Sequence, residues 1–462
     1  VDFERRAGGR HAVVVGGSIA GLLAAHVLAG HADRVTVVER DRLPEGAGPR
    51  PGVPQGRHPH VLLEGGQRAL DTLLPGFAEE LRAAGAPRVG MPGDMVQWQA
   101  GRWFRRTPSS TYIHTGSRAQ IEDLVRRRVL AHPAITVAGS TDAVGLLGDA
   151  SRVRGVLLRE RGEGARVADV RPLGADLVVD ASGRGTKAPQ WLAAIGAEAP
   201  QEEIIDTGLA YASRVYRDLT GTLGGDALGY NIVPGPAQPY GCVVLPLEDG
   251  THLLTFSGLR GDEPPTGEDE FVAYAKRLPH PFVHRWLREA AEPLSPVSGF
   301  RRTADVRRRY DLPGRRPAGF LATGDALCTF NPIYGQGMTV AALSAVALRD
   351  ALADGRTPTT RRVQRALLTA SRQAWDISGG ADKQMPGAVG NAASARAVDR
   401  VTAWYLRRVQ ERVSGNPEVG AAFRSVVSLV SPATALFAPR VARAVLLGRP
   451  AEPLAEPPLT RD

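Results

Sequence analysis

The stretch FLATGDALCTFNPIYGQGMTVAALSA, Phe320–Ala345, decides how the rest of the chain reads. It opens with a short apolar strand, Phe320–Thr323, turns at Gly324 and places Asp325 at the strand's end. Asn331-Pro332 and Gly335-Gln336-Gly337 form a loop, and Met338–Arg349 continues as a helix rich in Ala, Val and Leu. Two glycines at a helix start let a ligand approach the backbone closely, and the N-terminal N–H groups carry partial positive charge. A carboxylate ahead of the loop accepts hydrogen bonds from hydroxyls. The element suits a ligand with a polyol on one side and a group that becomes anionic on the other. A flavin has both, in its ribityl chain and in the N1–C2=O edge that turns negative on reduction. An ordinary strand–loop–helix corner uses the same residue types, so the decision passes to the rest of the chain.

The second signal lies near the start. Ala12–Val15 reads as a strand, Gly16-Gly17-Ser18-Ile19-Ala20-Gly21 as a turn, Leu22–Leu28 as a helix, and Arg34–Val38 as a second strand ending in Glu39. This is the dinucleotide-binding order: the glycines admit a pyrophosphate to the helix N-terminus and the acid meets a ribose hydroxyl. Ser18 replaces the usual second glycine and is small enough for close approach. Glu39 favours an unphosphorylated ribose, hence FAD or NAD, with Arg40 on the surface or the adenine side. A third signal is ADLVVDASGRGT, Ala175–Thr186, where a buried strand ends in Asp180 and the small-residue turn through Gly183. Such a turn lets a second backbone segment pass close to a dinucleotide.

Between these points, Asp41–Pro59 is a Pro/Gly loop, and Arg57, His58 and His60 precede an expected helix over His60–Leu74. Arg57 and His60 are placed to touch a flavin ring or pyrophosphate, with capping and solvent contact as the plainer role. Gln97–Tyr112 carries Trp98, Trp103, Phe104 and Tyr112 at strand-like spacing. Ser117 caps an expected helix to Ala131, with Arg118 facing a phosphate or ribityl oxygen. Ile135–Val144 and Val153–Leu158 read as strands. Residues 207–258 turn β-rich, and helices follow over Glu268–Leu278, Pro281–Glu289, Arg361–Trp375, Ala392–Arg412, Pro417–Val430 and Ala433–Leu447. The Pro-rich tail from Pro450 is expected to be loose. The domain reading is a FAD-binding domain in three parts, 10–90, 116–200 and 301–352. A substrate domain is inserted as a β-ribbon over 91–115 and an antiparallel sheet over 201–300, and 353–462 is helical.

Composition narrows the class. With 462 residues, 43% hydrophobic and 23% charged, the chain has globular values. Its net charge of +9 comes almost wholly from scattered arginine, and only Lys187, Lys276 and Lys383 are lysine, so no nucleic-acid face is indicated. Cys242 and Cys328 carry no metal spacing, Val1–Arg10 is polar, and no apolar run reaches ~18 residues. A cytoplasmic location without a transmembrane segment or metal is expected.

The three glycine signals in this order resemble the FAD-dependent monooxygenases of the para-hydroxybenzoate hydroxylase fold. That resemblance implies an α/β class: a Rossmann-like FAD-binding domain with an inserted antiparallel substrate sheet and a C-terminal helical region. It puts Glu39 on the adenosine ribose, Arg118 near the pyrophosphate, Asp325 on the ribityl chain, and Pro332 and Gly335–Met338 beside the isoalloxazine. The turn after Asp180 takes the place of the family's Asp-Gly motif. GRHPHVLLEGG (Gly56–Gly66), DASGRGTKAPQWL (Asp180–Leu192) and GDALCTFNPIYGQGM (Gly324–Met338) resemble the squalene-epoxidase-like branch, and within it the bacterial polyether-ionophore polyene epoxidases. The implied activity is epoxidation of an apolar polyene with O₂, in secondary metabolism. The electrons would come from NAD(P)H or a separate flavin reductase. Hydroxylation of an aromatic substrate and polyprenyl-type reduction are the alternatives. Epoxidation requires no deprotonation of the alkene, so no catalytic acid or base is named. Trp98, Trp103, Tyr211, Tyr230 and Tyr240 are expected to line an apolar pocket on the flavin's open face.

Overall fold

The computed structural model describes residues 9–162, 169–221, 223–354, 358–394 and 397–461. Most of the polar start and part of the helix expected over Ala392–Arg412 lie outside the described residues; within them that helix is Ala397–Gln410. Five parallel strands form the central sheet in the order Phe320–Ala322, Leu177–Asp180, His11–Val15, Arg34–Val38, Ile135–Ala138. Their register sets Val15 opposite Asp180 and Asp180 opposite Ala322. The three turns singled out in the sequence therefore leave one edge of one sheet, at the carboxyl ends of its strands, where open α/β sheets bind ligands.

His11–Val15 and Leu177–Asp180 are buried throughout, as their unbroken apolar runs require in a covered parallel sheet. Helix Ile19–Ala29 buries Ile19, Leu22, Leu23, Val27 and Leu28 and packs on helix Gly337–Ala353. Arg118–Leu130 begins at Ser117, whose Oγ accepts the Gln120 N–H at 3.1 Å. The strand expected over Ile135–Val144 is two strands. Ser140, at φ +50°, breaks the run, and Thr141–Gly148 leaves to join Val153–Glu160 and Val170–Gly174 in an antiparallel sheet.

A second sheet of eight strands carries Ala210–Asp218, His252–Gly258, Tyr240–Pro246 and Gly229–Ile232 antiparallel to one another, extended by the hairpin Met95–Gln99 and Arg102–Phe104. Period-2 alternation divides its residues. Val96, Tyr230, Val244, Leu254 and Phe256 pack with helices Glu268–Tyr274 and Phe282–Glu289, while Asn231, Val243, Thr255 and Ser257 face a cavity. Helices Thr360–Asp382, Ala397–Gln410 and Pro417–Val427 form that cavity's far wall. The architecture is the expected Rossmann-like α/β domain with an inserted antiparallel sheet and a helical C-terminal region.

Other local expectations change as well: the helix expected over Ala433–Leu447 is a short turn, Ala433–Phe437, followed by the helix Pro439–Leu447. Val61–Leu63 is a strand paired with Thr111–Thr115, so the helix starts at Glu64 and not His60; a three-residue apolar run satisfies either periodicity until a partner strand is present. The tail is also docked: Arg106 donates to the carbonyl oxygens of Pro458 and Leu459 at 3.3 and 2.9 Å, and Leu454 bridges to Trp103. Among the described residues no helix is long and apolar enough to cross a membrane.

Candidate functional site

The glycine turn is tight for physical reasons visible at two positions. Gly16 has φ +105°, and a Cβ there would stand 2.4 Å from the Ala181 carbonyl oxygen; a Cβ on Gly21 would stand 1.8 Å from the Gly16 carbonyl oxygen. Glu39 closes the turn. Its Oε2 accepts the Gly17 N–H at 2.7 Å and pairs with Arg50 at 2.7 Å, and its Oε1 accepts the Asp41 N–H at 2.8 Å. A carboxylate has about four lone-pair sites, so one remains for a ribose hydroxyl. Arg40 is exposed beside it.

Above the turn, the Arg118 guanidinium donates to Ser18 Oγ at 2.7 Å, and Ser18 Oγ donates to Glu122 at 2.6 Å. Arg118 thus stands over the N-terminus of helix Ile19–Ala29, where a pyrophosphate would meet both the guanidinium and the backbone N–H groups. Arg50 is buried in ion pairs with Glu39, Asp41 and Glu122. Nothing in its Pro/Gly loop announced it.

Asp180 is taken up by its own turn. Its Oδ1 accepts the Ser182 N–H at 2.9 Å and the Ser182 hydroxyl at 2.6 Å, and Oδ2 accepts Thr186. A Cβ at Gly183, which has φ +84°, would meet nothing within 4 Å. Asp325 differs: its carboxylate has no hydrogen bond within the described protein, burial holds its pKa up, and Arg184, Arg118 and Arg308 draw it down. Arg184, one residue past Gly183, donates to the carbonyl oxygens of Ala304 and Phe330 and leaves Nε unpartnered.

At the far end, Gly324 and Gly335 take left-handed backbone, φ +57° and +63°, and Cβ atoms there would collide with Ala20 and Val61. Pro332 is exposed and Met338 is buried. Gln336 is 1% exposed, yet both its amide atoms lack a partner. It stands directly before the helix N-terminus at Gly337, where an added Cβ would meet no protein atom within 4 Å. Ribose acid, phosphate cradle, free carboxylate, unpartnered amide and open helix N-terminus match FAD from its adenosine to its flavin end. They are strung along one sheet edge.

Beside this loop opens a cavity of about 1890 Å³ between the eight-stranded sheet and the C-terminal helices. Leu406, Phe423, Val426, Leu436 and Phe437 line the helical side, and Gln97, Asn231 and Thr255 the sheet side. His58 also lines it, 2.6 Å from Ser213 Oγ; burial first, then Arg57, lowers its pKa to about 4, so it is neutral at pH 7. His60 is also held neutral, by burial and by Arg118, and Arg57 is exposed.

Of the five aromatics expected on the pocket, Tyr211 and Trp98 line this cavity. Trp103, Tyr230 and Tyr240 do not: Trp103 and Tyr230 lie in the core under Phe282, and Tyr240 packs on Tyr274 and Arg277. The correction is one of strand parity, since Tyr230 and Tyr240 fall in the half of the alternation that faces helices Glu268–Tyr274 and Phe282–Glu289.

The chain is 38% identical over 353 residues, 74% of its length and 73% of the other's, to the protein Rv3254 of Mycobacterium tuberculosis. Its fold is similar to that of a flavoprotein/dehydrogenase from Cytophaga hutchinsonii, with TM-score 0.65, 15% identity, and 95% and 96% of the two chains covered. It is also similar to the p-nitrophenol 4-monooxygenase PnpA from Pseudomonas putida DLL-E4, with TM-score 0.64, 16% identity, and 92% and 98% covered. A family model described as FAD binding domain matches residues 10–374 and so spans all three turns of the cofactor edge. This chain belongs to the FAD binding domain family.

Proposed function

We propose that the protein is a flavin-dependent monooxygenase that inserts one atom of O₂ into a carbon–carbon double bond of a long, mostly apolar substrate. The observation that carries this reading is the cavity, which runs from the Asn331–Gly337 loop along the helical wall to Phe437 and is far larger than a single aromatic ring requires. Bound FAD, once reduced by NAD(P)H or a partner reductase, supplies the activation of O₂. The chain's own residues do the rest. Gly16–Gly21, Ser18, Arg118 and Glu39 would hold the adenosine and pyrophosphate, Asp325 the ribityl hydroxyls, and Gln336 with the Gly337 N-terminus the end that gains charge. Leu406, Phe423 and Leu436 exclude water and hold an apolar chain against the loop, so positioning supplies much of the rate.

Hydroxylation of a phenolic substrate is a second reading. It is favoured by the hydrogen-bonded run Tyr211–Asn331–Asp382–Tyr334 on the cavity wall, which offers proton-transfer groups that an alkene does not need for its own activation. Incubation of the reduced holoenzyme with polyenes and phenols under ¹⁸O₂ separates the two. An epoxide bearing ¹⁸O supports the first reading and a labelled catechol or quinol the second. Label from water alone, or a saturated product, overturns both.

A further inference from the structure

Oxygen insertion with reduced FAD takes up a proton: FADH⁻, O₂, H⁺ and substrate give FAD, oxygenated substrate and water. Without substrate, FADH⁻, O₂ and H⁺ give FAD and H₂O₂, so the proton is required either way. Side chains on the cavity wall beside the Asn331–Gly337 loop are the protein groups placed to supply it.

Two carboxyl groups meet there. Asp305, in strand Asp305–Arg309, is 0% exposed, and Asp382, the last residue of helix Thr360–Asp382, is 2% exposed. They touch each other and are clamped by one residue, Asn331. Its backbone N–H donates to Asp305 Oδ1 at 2.6 Å, and its Nδ2 donates to Asp382 Oδ2 at 3.0 Å. Ser378 Oγ donates to Asp305 Oδ1 at 3.2 Å, and Tyr334 Oη lies 2.5 Å from Asp382 Oδ1. Tyr211 Oη donates to Asn331 Oδ1 at 2.9 Å. Asp382, Asn331, Tyr334 and Tyr211 line the cavity, whereas Asp305 stands behind them.

Among the described residues, no Arg or Lys forms an ion pair with either carboxyl. The charged and titratable groups around Asp305, besides Asp382, are Arg184, Tyr211, Tyr334 and Cys328, and those around Asp382, besides Asp305, are Tyr334, Tyr211 and Asp206. Arg184 is drawn first to Asp325. Two touching carboxylates without a paired cation repel in a buried site, which disfavours ionising both and favours a proton shared between them. Burial pushes both carboxyls upward; the neighbouring Asp382 adds to the rise at Asp305, while hydrogen bonds from Tyr334 and Asn331 draw Asp382 partly back down. His58 and His60, on the same wall, are held neutral and hold no spare proton at pH 7.

We propose that the Asp305–Asp382 pair stores the proton consumed in each turnover and that Tyr334, between Asn331 and the Gly335–Gly337 turn, hands it into the cavity. This rests on the monooxygenase reading. In delivery the Tyr334 O–H bond breaks as an O–H bond forms on the acceptor oxygen in the cavity. As that bond breaks, Asp382 passes its proton to Tyr334 Oη across their hydrogen bond, so no tyrosinate forms beside the buried carboxyls, and solvent refills the pair between turnovers. Asp305 acts through Asp382 and is a positioning residue; Tyr334 is the donor.

Two measurements test this. The first is the infrared spectrum of the purified holoenzyme labelled with ¹³C-aspartate, at neutral pH in H₂O and D₂O. It should show a protonated carboxyl band that is absent from Asp305→Asn; a wild-type protein without that band overturns the store. The second is reoxidation of the reduced holoenzyme by O₂ without substrate, followed by flavin absorbance. Tyr334→Phe should slow it on the order of 100-fold, and small buffer acids should restore the rate, which no purely structural loss would allow. An unchanged rate, or a slowed rate that buffer acids leave untouched, overturns the delivery. If the band and the buffer rescue are present but no product carries ¹⁸O, the oxygen-insertion reading fails while the proton store stands.

Discussion

We expect cofactor retention to turn on Asp325, a carboxylate on the sheet edge that the described residues leave without a hydrogen bond. Asp180, equally suggestive as a strand-end acid, spends its oxygens on Ser182 and Thr186. We expect Asp325→Ala to weaken FAD binding by the loss of a charge-assisted hydrogen bond, about 1.5–3 kcal/mol or roughly 10- to 150-fold in Kd. Arg40→Ala, at an exposed position, should change it little. Titration of the stripped protein with FAD checks both, and equal effects would remove Asp325 from the ribityl chain. The sequence marked Asp325 because strand, glycine and acid are consecutive. It did not mark Asp305 and Asp382, which lie 77 positions apart and meet only because the helix Thr360–Asp382 ends against strand Asp305–Arg309.

The element that joins cofactor to cavity is the loop Asn331–Gly337 with the helix it launches. Its two glycines behave differently. Gly335 has φ +63°, and its Cβ would lie 2.4 Å from Val61 Cγ2, whereas a Cβ at Gly337 would meet no protein atom. Gly335→Ala should therefore lower the thermal midpoint of the protein itself. Gly337→Leu should leave the melting of FAD-free protein unchanged and impair flavin binding or reoxidation, since its side chain occupies ligand space at the helix N-terminus. Comparing apo and holo melting curves with the rate of reoxidation decides this; a destabilised apo Gly337→Leu would mean the space belongs to the fold. This element was legible because each of its devices is local: a turn glycine, a helix start and an apolar helix face.

At the scale of the molecule, the cavity exists because two units chosen by different periodicities face each other. The inserted sheet presents its odd-numbered residues, such as Asn231, Val243 and Thr255, and the C-terminal helices present Leu406, Phe423 and Leu436. If substrate length is what the cavity reads, Leu406→Trp should reduce kcat/KM for a long polyene about 10- to 100-fold. FAD content and reoxidation without substrate should be as in the wild type, because Leu406 lies on the wall and not on the cofactor edge. Loss of FAD in this variant, or an equal loss with short and long substrates, would remove the helical wall from substrate recognition.

What the sequence determined by itself was the fold class and the three turns that meet along one sheet edge. Three strand–turn units, each legible within about ten residues, can bind one dinucleotide only if their strands are neighbours, and the register Val15–Asp180–Ala322 makes them so. The tertiary structure decided which face of the inserted sheet meets the cavity. It moved Trp103, Tyr230 and Tyr240 into the core and left Tyr211 on the cavity wall with Trp98 at the sheet's margin. Alternation reveals that a strand has two faces, but only the covering helices define which one is inside. The buried contacts of Arg50, Gln336, Asp305 and Asp382 were decided there as well, because a polar side chain's partner is set by long-range packing and leaves no periodic trace in the chain.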